Sequence, residues 1–183
     1  MLKGKTILFD FFGVICSEIG PPWFEQYLPE RPDLKNKLFR ESDLGEISES
    51  DYFRAMSSLV KISPEEIRNS WLLSAIINNL VVKKIIELKN KYNIVLVSNS
   101  PSPLIREILK KNNLEELFDK IIISAEIGMA KPDRNFFNKV IEILGQPYSD
   151  ILFFDDNQDN IKSAQNIGIK SVLFSGPDSI NIS

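Results

Sequence analysis

Ten residues into the chain an aspartate interrupts an apolar run: Thr6 to Ile15 reads TILFDFFGVI, and Asp10 is its one ionisable group. A carboxylate between a hydrophobic strand and two phenylalanines is costly to ionise unless something nearby holds its charge. Polar groups follow other hydrophobic runs in the same way. Ser98-Asn99-Ser100 follows NIVLV, Lys131 sits in GMAKP, and Asp155-Asp156-Asn157 follows ILFF. Brought together, these would make a pocket with three carboxylates, an ammonium and a hydroxyl. Three carboxylates repel one another unless a cation lies among them, and Mg²⁺ fits because it prefers oxygen ligands and shares them with substrate phosphate. Asp10 can then attack phosphorus and form an aspartyl-phosphate that water later hydrolyses. Lys131 adds a second positive charge, and Ser98 with nearby backbone N–H groups holds phosphate oxygens near a helix N-terminus. The protein's task in such a site is in-line positioning and charge neutralisation.

Composition narrows the chemistry further. The 183 residues contain no histidine and one cysteine, Cys16. That excludes Ser-His-Asp triads, Cys-His pairs and the usual histidine-rich zinc sites. A lone cysteine forms no internal disulfide, which suits a reducing compartment, and Cys16 reads as a core thiol. A net charge of −3, with basic residues scattered among the acids, gives no footprint for nucleic acid. No apolar run approaches the roughly 20 residues of a membrane span, and MLKGK enters a strand without a signal-peptide pattern. The expectation is a cytoplasmic protein with a small phosphorylated metabolite as its partner, and neither nucleic acid nor membrane.

The groups need elements to position them. Five runs rich in Ile, Val, Leu and Phe read as strands: 6–10, 93–98, 120–124, 150–156 and 170–174. None alternates polar with apolar, so both faces are covered, as in a parallel sheet between helices. Helical patterns occupy 81–91, 102–112, 133–144 and 157–167, with Gly145 and Gly168 placed as C-caps. This alternation predicts an α/β, doubly wound (Rossmann-like) parallel five-stranded core sheet. In such sheets ligands bind at the carboxyl ends of the central strands, where these polar groups lie.

From Cys16 to Asn79 the alternation stops. Apolar residues recur there at helical spacing, as in Tyr52/Phe53/Met56, and Ser63-Pro64-Glu65-Glu66 makes a good helix start. The predicted organisation is a core of residues 1–15 plus 80–183, with an inserted helical cap at 16–79. The cap aromatics read as packing, with Trp23, Phe24 and Tyr27 the ones placed to wall a pocket. The ending SGPDSINIS reads as an ordinary polar terminus.

ILFDFFGVI, LVSNS, GMAKPD and LFFDDNQDNI, in this order and with LGEIS between the first two, resemble the four motifs of the haloacid dehalogenase superfamily. Each motif is weak alone and the ordered set is strong. The whole is similar to the capped subgroup that contains the bacterial α-D-glucose-1-phosphate phosphatase. The resemblance implies Asp10 as nucleophile, Ser98 and Asn99 as phosphate binders, and Lys131 as charge clamp. It implies Mg²⁺ held by Asp10, Asp156, Asp155 and the carbonyl of Phe12. Asp159 and Asn160 read as first-turn helix residues, and Asp159 is also placed to orient the metal site.

One position departs from that pattern. Most phosphatases of the superfamily carry a second Asp two residues after the nucleophile, where this chain has Phe12. A general acid–base group is worth about 10²–10⁴-fold in rate. Either the substrate has a good leaving group or a cap carboxylate such as Glu18 or Glu46 substitutes. Two other readings remain: a metal-independent 2-haloacid dehalogenase, which carries an aromatic residue here, and a catalytically weak binding module. Asp155-Asp156 favours phosphate over halide.

Overall fold

The computed structural model describes residues 4–182. Its sheet has five parallel strands in the order β3-β2-β1-β4-β5: β1 (Thr6–Phe9), β2 (Asn93–Ser98), β3 (Lys120–Ile123), β4 (Ile151–Asp155) and β5 (Lys170–Leu173). Each falls on a predicted apolar run, shortened by up to two residues. The chain order reverses at β1, between β2 and β4, so the crevice for a ligand opens at the ends of those three strands.

Alternate residues of each strand feed opposite faces. Ile7, Phe9, Ile94, Leu96 and Phe154 pack beneath α5 (Asn79–Lys89) and α6 (Ser102–Lys111). Leu8, Val95, Val97 and Phe153 pack beneath α8 (Arg134–Leu144) and α9 (Gln158–Asn166). Both faces are therefore dry, which explains why no strand alternates polar with apolar. Gly145 closes α8 in the left-handed region at φ 62°, as the sequence predicts. Gly168 lies one residue beyond the cap of α9, which is Ile167.

Four helices occupy the interruption: α1 (Gly20–Tyr27), α2 (Pro32–Asp43), α3 (Glu49–Ser57) and α4 (Pro64–Ser74). Ser63 opens α4 with a full capping box to Glu66, an arrangement worth about 1 kcal/mol. The helices are joined by aromatic edges, with Phe24–Phe39 centroids 5.2 Å apart and Tyr52–Trp71 centroids 5.7 Å apart. Their apolar faces continue into the core beneath α5 and α6. The chain leaves the sheet and returns to it along paired backbones. Ser17 N–H donates to Ile76 O at 2.9 Å, and Asn78 N–H donates to Ile15 O at 2.8 Å.

Two features differ from the sequence reading. A further short helix, α7 (Ser124–Ile127), follows β3 directly and ends on Gly128 at φ 66°; four residues give no periodicity to detect. The terminus is more than polar trailing chain. Ile180 is buried, and Lys84 Nζ donates to its carbonyl at 3.3 Å, which docks the segment against α5. No helix of the described residues is long and apolar enough to cross a membrane.

Candidate active site

The register places the first three groups. Phe9 pairs with Phe154 and Asp10 N–H donates to Phe154 O at 2.9 Å, so Asp10 and Asp155 end adjacent strands side by side. Lys131, in the loop between α7 and α8, reaches between them. Its Nζ lies 2.8 Å from Asp10 Oδ1 and 2.7 Å from Asp155 Oδ2, and the residue is only 4% exposed. Asn99 fixes that loop. Its Oδ1 accepts from Lys131 N–H at 2.9 Å and its Nδ2 donates to Lys131 O at 2.7 Å. The lysine is thus delivered from behind by a side chain whose amide is paired at both ends.

Asp155 is satisfied on both oxygens. Asn160 Nδ2 donates to each at 3.0 Å, and Asn157 N–H donates to Oδ1 at 2.8 Å. Burial opposes its charge, but Lys131, the Asn157 N–H and the neighbouring Asp10 carboxyl outweigh burial and hold the carboxyl below its usual range. Asp10 has fewer supports: Lys131 and the Phe11 N–H, 2.7 Å away, both on Oδ1. Burial pushes its carboxyl well above the usual range, against the pull of Lys131 and with Asp155 adding to the rise. Burial likewise disfavours the Lys131 ammonium, yet the two aspartates override it and keep the lysine charged.

Asp156 completes the acidic group. Asp10, Asp155 and Asp156 each offer a carboxylate oxygen, and these oxygens lie within 4.8 Å of one another. Gly13 makes room for this approach. A Cβ built there would stand 2.1 Å from Asp156 Oδ2, and its φ of 79° also favours glycine. The turn after β1 closes with Gly13 N–H on Cys16 O and Cys16 N–H on Phe11 O, while the Phe12 carbonyl accepts no hydrogen bond among the described residues. Clustered carboxylates beside an unused carbonyl are a hard-oxygen donor set, which fits a magnesium ion.

A cavity of about 250 Å³ stands over this group. Asp10, Phe12, Lys131 and Asp156 form its floor, and Phe39, Tyr52 and Trp71 from α2, α3 and α4 form part of its roof. The aromatic wall differs from the sequence reading. Trp23 and Phe24 are buried in the core, Tyr27 is exposed, and none of the three lines the cavity. Ser98 ends β2 fully buried, directly behind the cavity residues Asn99 and Ser100, and its hydroxyl has no partner. Glu18 lines the cavity, whereas Glu46 is exposed and stands outside it. Asp159 is exposed, paired with Lys162 at 3.5 Å, and lies outside the acidic group. Cys16 is buried, and burial pushes its thiol up to about 12, so it is inert as expected.

Sequence reading missed Asn160 as the support of Asp155, and it missed Asp43 on the cavity wall. The signal for Asn160 was its place in the first turn of the helix that follows Asp155. Asp43 carried no local signal.

The comparisons with known proteins agree with this architecture. The model of the family described as haloacid dehalogenase-like hydrolase matches residues 5–168. Drimenol cyclase drtB of Aspergillus calidoustus is 30% identical over 80% of this chain, and the match spans 29% of the cyclase's own length. D-ribitol-5-phosphate phosphatase of Bacteroides thetaiotaomicron is 24% identical over 91% of this chain and 90% of that protein. A HAD family enzyme of Bacteroides thetaiotaomicron, solved in complex with magnesium and inorganic phosphate, superposes with a TM-score of 0.79 at 24% identity. That match covers 92% of this chain and 93% of the other. The ordered strand ends, the topology and the family match lead to one assignment: the chain is a member of the haloacid dehalogenase-like hydrolase family.

Proposed function

We propose that the protein is a Mg²⁺-dependent phosphate monoester hydrolase acting on a small phosphorylated metabolite, with a sugar or sugar-alcohol phosphate favoured. The reading is carried by one observation: three carboxylates converge within 4.8 Å while Lys131 neutralises two of them. A site for a neutral haloacid carbon has no use for that much hard-oxygen charge. Phe12 is the feature that favours the dehalogenase alternative.

In this reading Asp10 is the nucleophile: it stands at the end of β1 on the cavity floor, with Oδ1 held by Lys131 and the Phe11 N–H. Lys131 favours the ionised form of that carboxylate against the burial that opposes it, and draws charge from the phosphoryl oxygens. Ser98 and the backbone N–H of Asn99 hold phosphate; the Asn99 amide orients Lys131 instead. Magnesium would be held by Asp10, Asp156 and the Phe12 carbonyl, and when bound it neutralises phosphate charge. Asp155 orients Lys131, since its oxygens are already engaged. Residues 16–79 serve as the cap that closes over the substrate, and the protein works in the cytoplasm. A polyol phosphatase among the relatives matched over nearly the whole chain supports the substrate class.

The test is a panel of sugar phosphates, acyl phosphates and 2-haloacids with and without EDTA. Phosphate release that needs Mg²⁺ and disappears in Asp10→Asn is expected. Metal-independent halide release would select the dehalogenase instead.

A further inference from the structure

Phe12 leaves the site without the usual proton donor, and the cavity offers two carboxylates that could replace it: Glu18, ahead of α1, and Asp43, at the end of α2. Neither makes a hydrogen bond or ion pair among the described residues. They differ in what surrounds them. Beyond burial, the strongest charge on Glu18 is Asp156, which places it among the acidic groups of the floor. Asp43 projects from the roof, part-buried, on the wall shared with an adjoining cavity that Lys131 and Asn99 also line.

The position of Asp43 is built into the backbone. Two residues on, Gly45 (φ 69°) approaches the core so closely that a Cβ there would stand 2.6 Å from the Ala125 carbonyl oxygen. This contact between the end of α2 and α7 sets where Asp43 stands over the floor. Beside it on the roof, Ser42 Oγ and Tyr52 OH are buried without partners, so neither satisfies the carboxylate.

We propose that Asp43 is the general acid–base of this hydrolase, supplying from the helical roof the proton transfer that Phe12 cannot. The inference rests on the aspartyl-phosphate reading above. In the first half-reaction Asp10 Oδ2 bonds to phosphorus, the bond from phosphorus to the ester oxygen breaks, and the Asp43 carboxyl gives its proton to that oxygen. In the second, the Asp43 carboxylate takes a proton from water, the hydroxide bonds to phosphorus, and Asp10 leaves as carboxylate with inorganic phosphate released. Asp43 ends protonated, ready for the next cycle.

The electrostatics suit that task. Burial pushes the Asp43 carboxyl up to about 7, with Lys131 opposing and Glu18 adding to the rise. The facing groups are Lys131 and Glu18 across the cavity and Tyr52 on α3. An acid that titrates near neutrality is matched to proton transfer at that pH.

The test compares a sugar-alcohol phosphate, a poor leaving group that needs a proton, with acetyl phosphate, which does not. On the wild-type protein, kcat/KM for the alkyl ester should fall as pH rises through about 7, while that for acetyl phosphate should not share this limb. Asp43→Asn should lose about 10²–10⁴-fold on the alkyl ester and less than about tenfold on acetyl phosphate. It should also lose the limb, whereas Asp43→Glu should recover turnover and Glu18→Gln should keep the limb. Equal loss on the two substrates, no loss on either, or transfer of the effect to Glu18→Gln would overturn the role of Asp43. If the asparagine variant does not fold, a wild-type alkyl profile without the limb overturns it equally. Activity that survives Asp10→Asn would sink the aspartyl-phosphate reading itself; a dead Asp10→Asn beside an unaffected Asp43→Asn sinks only this inference.

Discussion

The floor and the roof of the cavity treat polar groups in opposite ways. On the floor, Asp155 has a partner for each oxygen, Lys131 contacts two carboxylates, and Asn99 is paired at both ends. On the roof, Ser42 Oγ, Tyr52 OH and Trp71 Nε1 are buried with no partner, and Asp43 has neither hydrogen bond nor ion pair among the described residues. A satisfied network is rigid and presents the same charges to every ligand. Unpaired buried groups cost stability until something pairs with them. In the proposed function, the floor carries the phosphoryl chemistry and the roof meets the leaving group. Ser98 is the floor's exception, with an unpaired hydroxyl at the place assigned to phosphate.

Three substitutions can break or sharpen this contrast. Lys131→Met leaves two carboxylates facing each other without their cation, and it should cost about 3–5 kcal/mol of folding stability as well as activity. Urea unfolding measures this, and a loss below about 1 kcal/mol would mean the floor is not held by charge. Asn160→Ala removes the amide that donates to both Asp155 oxygens, leaving Lys131 in place, and should cost about 1.5–3 kcal/mol, the range for a hydrogen bond to a charged group. Because Asp155 sits below its usual range, its contribution is present above the unfolded value of 3.8 and disappears as pH falls through the lower folded value. The Asn160→Ala deficit should therefore shrink in acid. Tyr52→Phe removes an orphan hydroxyl from the roof and should leave stability unchanged or raise it by up to about 1 kcal/mol. A clear loss would show that the roof is paired after all.

Much of the floor was legible in the sequence because it is local. Each strand appears as a short Ile-, Val- or Phe-rich run, and its final polar residue marks the strand end, so Asp10 and Asp155-Asp156 could be placed without a structure. Lys131 stood out through its motif. Contacts between distant segments were not legible. Asn99 meets Lys131 across 32 residues of chain, and neither carries a periodic pattern that announces the pairing. Asp43 was hidden for the same reason: it ends an ordinary amphipathic helix, and only the approach of Gly45 to Ala125 brings it over the site. The roof aromatics follow this rule too. Helical spacing marked Trp23, Phe24, Tyr52 and Trp71 alike as buried, and the packing of four helices decided which of them meet the cavity.

The paired backbones at Ile15–Ser17 and Ile76–Asn78 give the protein a built-in reporter. Cys16, the single cysteine in the sequence, lies in that ribbon and bridges to both Phe12 and Ile77. Its burial shields the sulfur from reagents while the ribbon stays zipped. Alkylation of this thiol therefore reports any opening of the ribbon that ties the four helices to the sheet, and a ligand that bridges floor and roof should slow the reaction without touching the sulfur.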